Sequence, residues 1–202
     1  YEHSFVWSDV SVLKSLPEKN FVNGLGYIVH YACHLNNEFF EFLENNLDKI
    51  FEFDLKLIEE MVFLSCETKI KLFKPSQTDQ NISQHPAFGE FGASILIEST
   101  PNKIKFGQAL LFGMLVEGAI SYKNGIFNGP SFKRFYELLK RILDNYSIFQ
   151  IDQYKFIDFF KRKSIQNKLP HLNLPQEFGK FITYSDYKLS DFISAFELIL
   201  SN

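Results

Sequence analysis

Leu16-Pro17-Glu18-Lys19-Asn20-Phe21-Val22-Asn23-Gly24-Leu25-Gly26-Tyr27-Ile28-Val29-His30-Tyr31 is the stretch whose reading decides the fold. Pro17 has the φ that the first turn of a helix needs and lacks only an N–H that would be unpaired there. From Phe21 onward the apolar residues return at helical intervals, as Phe21, Leu25, Ile28, Val29 and Ala32. This is a helix with one buried face.

The same period continues outward. Upstream, Ser4-Phe5-Val6-Trp7 reads as a short strand, and Asp9 caps a brief helix through Leu13 and Leu16. Downstream, a second helix from Asn36 to Leu43 carries Phe39, Phe40 and Phe42. Asp54 caps a long helix with Leu55, Leu57, Ile58, Met61, Val62 and Leu64 inward, and Lys56, Glu59, Glu60 and Lys69 outward. It fades at Lys74-Pro75 into a polar loop over residues 76–84. Helices over 87–98 and 104–122, a turn over 125–130, a helix opened by Pro130 and a shorter one over 152–163 follow. Two small strands, 171–174 and 180–184, flank a Pro-Gln-Glu-Phe-Gly turn, and Ser190 caps a last helix ending at Leu200. The fold class is mainly α with a few short strands, in one domain spanning 1–202.

Composition narrows the function. A formal charge of −3 over 202 residues provides no basic field for a phosphate backbone, which excludes nucleic acid. Lys161, Arg162 and Lys163 cluster locally, a grouping that suits a small anion. The longest run without Asp, Glu, Lys or Arg, Asn20 to Asn37, is interrupted by Asn, His and Gly, so no membrane span is expected. The 24 phenylalanines reflect a compositional bias and carry no function of their own. Cys33 and Cys66, both within apolar helical patterns, read as buried thiols of a reducing compartment, the cytoplasm.

Three further groups of residues, in order, extend the reading of Leu16–Tyr31. They are Ser65-Cys66-Glu67-Thr68-Lys69; Phe88-Gly89-Glu90-Phe91-Gly92-Ala93 followed by Phe106-Gly107-Gln108-Ala109-Leu110-Leu111-Phe112-Gly113-Met114; and Lys163 with Leu174-Pro175-Gln176-Glu177-Phe178-Gly179. Together they resemble the 3-dehydroquinate synthase family of sugar-phosphate cyclases, whose motifs run L-P-x-R-E-F-x-x-G-x-A-E-V-I-K-Y, S-C-x-x-K, G-H-T-F-G-H, H-G-E-A-V-A-x-G-M, D-K-K and L-P-x-x-I-G. The resemblance covers nearly the whole chain and implies the helical C-terminal domain of that fold. Residues 1–7 would then be the last strand of an NAD-binding half that lies upstream of this sequence.

The departures fall on the chemistry. The family binds zinc through one glutamate and two histidines, and those positions match Tyr27, Gly89 and Phe106; a one-residue slip would place Glu90 in the second. Zinc needs deprotonated oxygen, nitrogen or sulfur donors, and these three side chains offer at best a neutral phenol. The lysine of E-V-I-K becomes His30, and the last histidine of G-H-T-F-G-H becomes Ala93. Lys69 and Lys163 remain at positions where the family holds substrate carboxylate or phosphate. Lys69, Lys163 and His30 are therefore the candidate substrate-binding residues, against the plainer reading of solvated lysines.

His30 and His34, four apart on one helix with Glu38 a turn further, also have the spacing of a metal pair; the plainer reading is two surface or half-buried histidines. Glu90 reads as a general base or as a helix-end residue. Gly89, Gly92, Gly107 and Gly113 read as close-packing positions. The functional expectation is a divergent, non-catalytic domain with no cofactor of its own and a residual anion pocket, serving a structural or regulatory role. Its expected partners are an NAD-binding half or subunit, a second copy, and an anionic sugar phosphate. The alternatives are a cyclase with altered, metal-free chemistry, and a relative of iron-containing alcohol or glycerol dehydrogenases.

Overall fold

Local signals set most helix ends in the computed structural model, which describes residues 7–35, 37–73, 88–100, 104–144, 153–165 and 169–200. Asp9 accepts from Ser11 N at 2.9 Å and opens a 3₁₀ turn, Val10–Ser15. The Pro17 carbonyl accepts from Asn20 N and Phe21 N and starts α1, Glu18–Leu35. α2, Asn37–Phe51, runs two turns past the expected end at Leu43 because Leu43, Leu47 and Ile50 continue its buried stripe. It stops where Phe53 takes a φ of 61°, with the Phe53 and Asp54 N–H groups returning to Ile50 O and Lys49 O. A non-glycine residue rarely adopts that conformation; here the Phe53 ring packs on Phe21 at 4.9 Å.

Asp54 Oδ1 accepts from Lys56 N at 3.0 Å and Leu57 N at 3.3 Å, so it caps α3, Leu55–Phe73, as the sequence predicts. α4 covers Glu90–Ser99 and α5 Phe106–Lys123. α6, Gly129–Asp144, begins one residue before Pro130, because Asn128 Oδ1 caps it through Ser131 N at 3.0 Å. α7 spans Gln153–Ile165. The antiparallel pair β1, Leu172–Glu177, and β2, Lys180–Tyr184, is longer than expected, since Pro175 to Glu177 join the strand and the turn shrinks to Phe178-Gly179. α8, Leu189–Leu200, starts before Ser190; its first-turn partner is Asp191 Oδ2, which accepts from Lys188 N at 2.7 Å. The expected strand at 4–7 and loop at 76–84 lie outside the described residues, apart from Trp7, which is exposed and in no strand.

α5 is the axis of the domain. Every residue from Gly107 to Ser121 is buried, as expected for a helix that is apolar all round. α1, α4, α6, α8 and β1 pack around it. Two of these contacts are backbone on backbone. A Cβ on Gly26 would lie 2.5 Å from the Gly107 carbonyl carbon, and one on Gly113 would lie 2.6 Å from Ala93 N. The glycines therefore act as close-packing positions, as expected. Asn23 from α1 completes the first crossing by accepting from Gly107 N at 2.8 Å.

The two cysteines differ. Cys33 is buried, and burial pushes its thiol well above the usual range, whereas Cys66 is exposed. The expectation of two buried thiols fails at Cys66 because it points away from the side of α3 on which Met61 and Thr68 enter the core. No helix among the described residues is long and apolar enough to cross a membrane.

Candidate functional site

The two glycine crossings determine what meets at one end of the bundle. Because Gly26 and Gly107 touch, their neighbours Tyr27 and Phe106 come together, and their rings stack with centroids 6.0 Å apart and planes 27° from parallel. Both are partly exposed, at 39% and 38%. Tyr31 stands one turn after Tyr27, and Glu90 opens α4 beside them. Burial, then Tyr31 and Glu90, raise the Tyr27 phenol above its ordinary range; burial, then Glu90, do the same to Tyr31. Both phenols are therefore neutral at neutral pH.

Gly89 is the N-terminal boundary residue of α4, with φ +83°. A Cβ there would meet Met114 Cγ at 2.5 Å and Met114 N at 2.7 Å. The backbone at this position accepts only glycine. Beneath it lies Glu117 from α5, fully buried. Its Oε2 accepts from Gly89 N at 2.7 Å and its Oε1 from Gly92 N at 3.1 Å, so a carboxyl from the neighbouring helix closes the end of α4. Burial pushes this carboxyl up to about 8, against the pull of the backbone N–H donors at Gly89, Gly92 and Phe91. Sequence reading passed over Glu117. The available signal was one acid at the end of an apolar helical run, a residue type that is almost never fully buried without partners.

His30 and His34 are both buried, at 5% and 8%, so the expectation of surface or half-buried histidines is corrected. The turn spacing is as predicted, but that face of α1 is covered by Phe88 and Phe181. His30 Nδ1 lies 3.1 Å from Phe88 O and His34 Nδ1 2.7 Å from His30 O. A carbonyl only accepts, so each Nδ1 carries a proton and donates it. The two rings are 4.4 Å apart, and His34 stacks on Phe181 at 4.3 Å. Burial, then the neighbouring His30, push His34 down to about 3. Its Nε2 is buried without a hydrogen-bond partner.

The candidate anion ligands are dispersed. Lys163 on α7 pairs with Glu98 at 3.4 Å and lies over Phe159. Glu98 is eight residues beyond Glu90, roughly 12 Å along α4. Lys69 is exposed on α3 and forms no ion pair with a described residue. Among the described residues no three His, Cys, Asp or Glu side chains converge as a metal-holding group.

Residues 24–164 match the family model of the 3-dehydroquinate synthase C-terminal domain. The 3-dehydroquinate synthase of Thermodesulfovibrio yellowstonii is 29% identical over 69% of this chain and 39% of its own length. That of Dictyoglomus turgidum is 28% identical over 96% of this chain and 55% of its own. The chain thus spans about half the length, or less, of these relatives. In fold it is similar to the 2-epi-5-epi-valiolone synthase of Streptomyces hygroscopicus subsp. jinggangensis, solved with NAD+ and Zn2+ bound, with a TM-score of 0.77 at 16% identity over 96% of this chain and 54% of that one. A 2-deoxy-scyllo-inosose synthase gives a TM-score of 0.61 at 17% identity over 98% of this chain and 55% of its own. This chain, a helical bundle with one short hairpin among its described residues, is matched by the family model over 141 consecutive residues and belongs to the 3-dehydroquinate synthase C-terminal domain family.

Proposed function

We propose that this chain is a cyclase-type C-terminal domain that does not carry a metal-dependent step and serves as a structural or regulatory partner for an NAD-binding half. One observation carries the reading. Of the three positions matched to the family's zinc ligands, Tyr27 and Phe106 meet as a stacked pair of rings, and the third is Gly89, whose backbone packs on Met114 further along α5. Zinc requires several charged or imidazole donors at about 2 Å. A neutral phenol, a phenyl ring and a glycine do not fit it. Gly89 argues further than its missing side chain, because its φ and its contact with Met114 leave no place for a histidine Cβ. Reading Glu90 as the ligand supplies one carboxylate, still too few donors.

The residual anion pocket is built from Lys69, Lys163 and His30. His30 is buried and directs one ring nitrogen to Phe88 O, so its role is to tie α1 to the segment entering α4. A sugar phosphate would compete with Glu98 for Lys163.

Two measurements test this. After equilibration with zinc and dialysis, elemental analysis of the purified chain is expected to find well under one equivalent. Tyr27→Phe and Glu90→Gln are expected to leave that value unchanged. One equivalent of zinc, lost in either variant, refutes the reading. When the chain replaces the corresponding domain of a matched 3-dehydroquinate synthase, sugar-phosphate-dependent turnover is expected to be absent. Turnover insensitive to chelators would instead support the cyclase with metal-free chemistry.

A further inference from the structure

Three aromatic rings and one carboxylate gather beside the crossing of α1 and α5. Tyr27 and Phe106 stack there, both exposed. Tyr31 follows Tyr27 by one helical turn and so lies on the same face. Its ring is held against the buried His30 ring, with centroids 5.8 Å apart and planes at 76°. His30 Nδ1 donates to Phe88 O at 3.1 Å, which brings the entry to α4, and Glu90 two residues later, to the level of Tyr27 and Tyr31. The Glu90 charge reaches both phenols. Lys105, next to Phe106, turns its ammonium to Asn20 Oδ1, seven residues before Tyr27 and so roughly 10 Å away along α1.

We propose that Tyr27, Tyr31, Phe106 and Glu90 bind a small quaternary ammonium ion, of the tetramethylammonium or choline kind. The face of an aromatic ring is the negative part of its quadrupole and attracts a cation lying over it. A carboxylate beside the rings adds to that field and opposes an anion. The methyl groups of such an ion cover its charge, so it leaves water more readily than a primary ammonium, which is compact and strongly hydrated. The Tyr27 and Phe106 centroids are 6.0 Å apart, too close to admit the ion between them. It rests on the exposed sides of the rings, partly in water, and binds in the millimolar range. The inference rests on the reading that Tyr27, Gly89 and Phe106 hold no zinc.

Saturation-transfer NMR on the ligand methyl signal, with the whole chain in EDTA, is expected to show saturable binding of tetramethylammonium and of choline. The uncharged isostere of choline, with a tert-butyl group in place of the trimethylammonium head, should not bind. Tyr27→Leu and Phe106→Leu, both at exposed positions, and Glu90→Gln should each weaken binding about tenfold with an unchanged circular dichroism spectrum. Tyr27→Phe keeps the ring and should bind as the parent does. No binding in EDTA overturns the proposal while the zinc reading stands. Binding indifferent to Tyr27 and Phe106 overturns it too, as does equal binding of the uncharged isostere or of myo-inositol. Binding that is present in EDTA and abolished by one equivalent of zinc supports the cation site and refutes the zinc reading.

Discussion

Gly24 and Gly26 lie two residues apart on α1, and the structure assigns opposite signs to the same substitution at each. A Cβ at position 24 meets nothing within 4 Å, whereas one at position 26 would stand 2.5 Å from the Gly107 carbonyl carbon and 2.9 Å from its Cα. Non-bonded carbons settle at about 3.5–4.0 Å, so α1 and α5 would have to part by roughly 1 Å. A gap of that size forfeits a quarter to a half of the dispersion attraction between the facing atoms, and overpacking of this kind costs about 3 kcal/mol or more. Gly24→Ala instead removes only the entropic penalty of a mid-helix glycine, a gain of about 0.5–1 kcal/mol. For a domain of this size each kcal/mol moves Tm by about 2–4 °C. Thermal unfolding followed at the helical circular dichroism band should therefore show Gly26→Ala melting about 6–12 °C lower and Gly24→Ala about 1–4 °C higher than the parent. Urea titration should place the two variants roughly 4 kcal/mol apart. If their stabilities agree within about 0.5 kcal/mol, α1 and α5 do not cross backbone to backbone, and the account of why Tyr27 meets Phe106 fails with it.

Glu117 and His34 predict the pH profile of stability. The raised Glu117 carboxyl, about 8 in the fold against 4.5 ordinarily, makes the protein lose stability as pH rises through that interval, by up to about 1.4 kcal/mol per unit. The depressed His34, about 3 against 6.5, makes it lose stability as pH falls through its own interval. The slopes oppose each other where they overlap, so urea unfolding should show a plateau between pH 4.5 and 6.5 with a decline on either side. Glu117→Gln should abolish the alkaline decline and leave the His34 slope unopposed, so that stability climbs from pH 4.5 to 6.5, at a level about 1–3 kcal/mol lower because an amide NH2 then faces a backbone donor; an unchanged alkaline limb would show that this carboxyl does not titrate there. His34→Phe should flatten the acid limb, leaving only the slope of ordinary carboxylates. Gly89→Ala should destabilise by about 3 kcal/mol or more in chemical denaturation, combining a strained φ with the Met114 clash; a near-neutral result would reopen that position to a ligand-bearing residue.

What was legible in the sequence was local or motif-based. The 3.6-residue period marked α1 and α3, Asp9 and Asp54 marked helix starts, and the ordered motifs from Leu16 to Gly179 pointed to the family that the comparisons then established. These signals involve neighbours within a turn or two, and backbone hydrogen bonding resolves them without reference to the rest of the chain. Helix ends moved where a buried stripe outran the visible pattern, as it did from Leu43 to Ile50. The candidate site depended on long-range packing. Phe88 and Phe181 bury His30 and His34, Gly26 on Gly107 aligns Tyr27 with Phe106, and Glu117 reaches the end of α4 from another helix. Cys33 and Cys66 sit in similar apolar surroundings along the sequence, yet one is buried and the other faces water. Periodicity tells which residues share a face, but only the packing of one helix on another decides which face is covered and how near two backbones come.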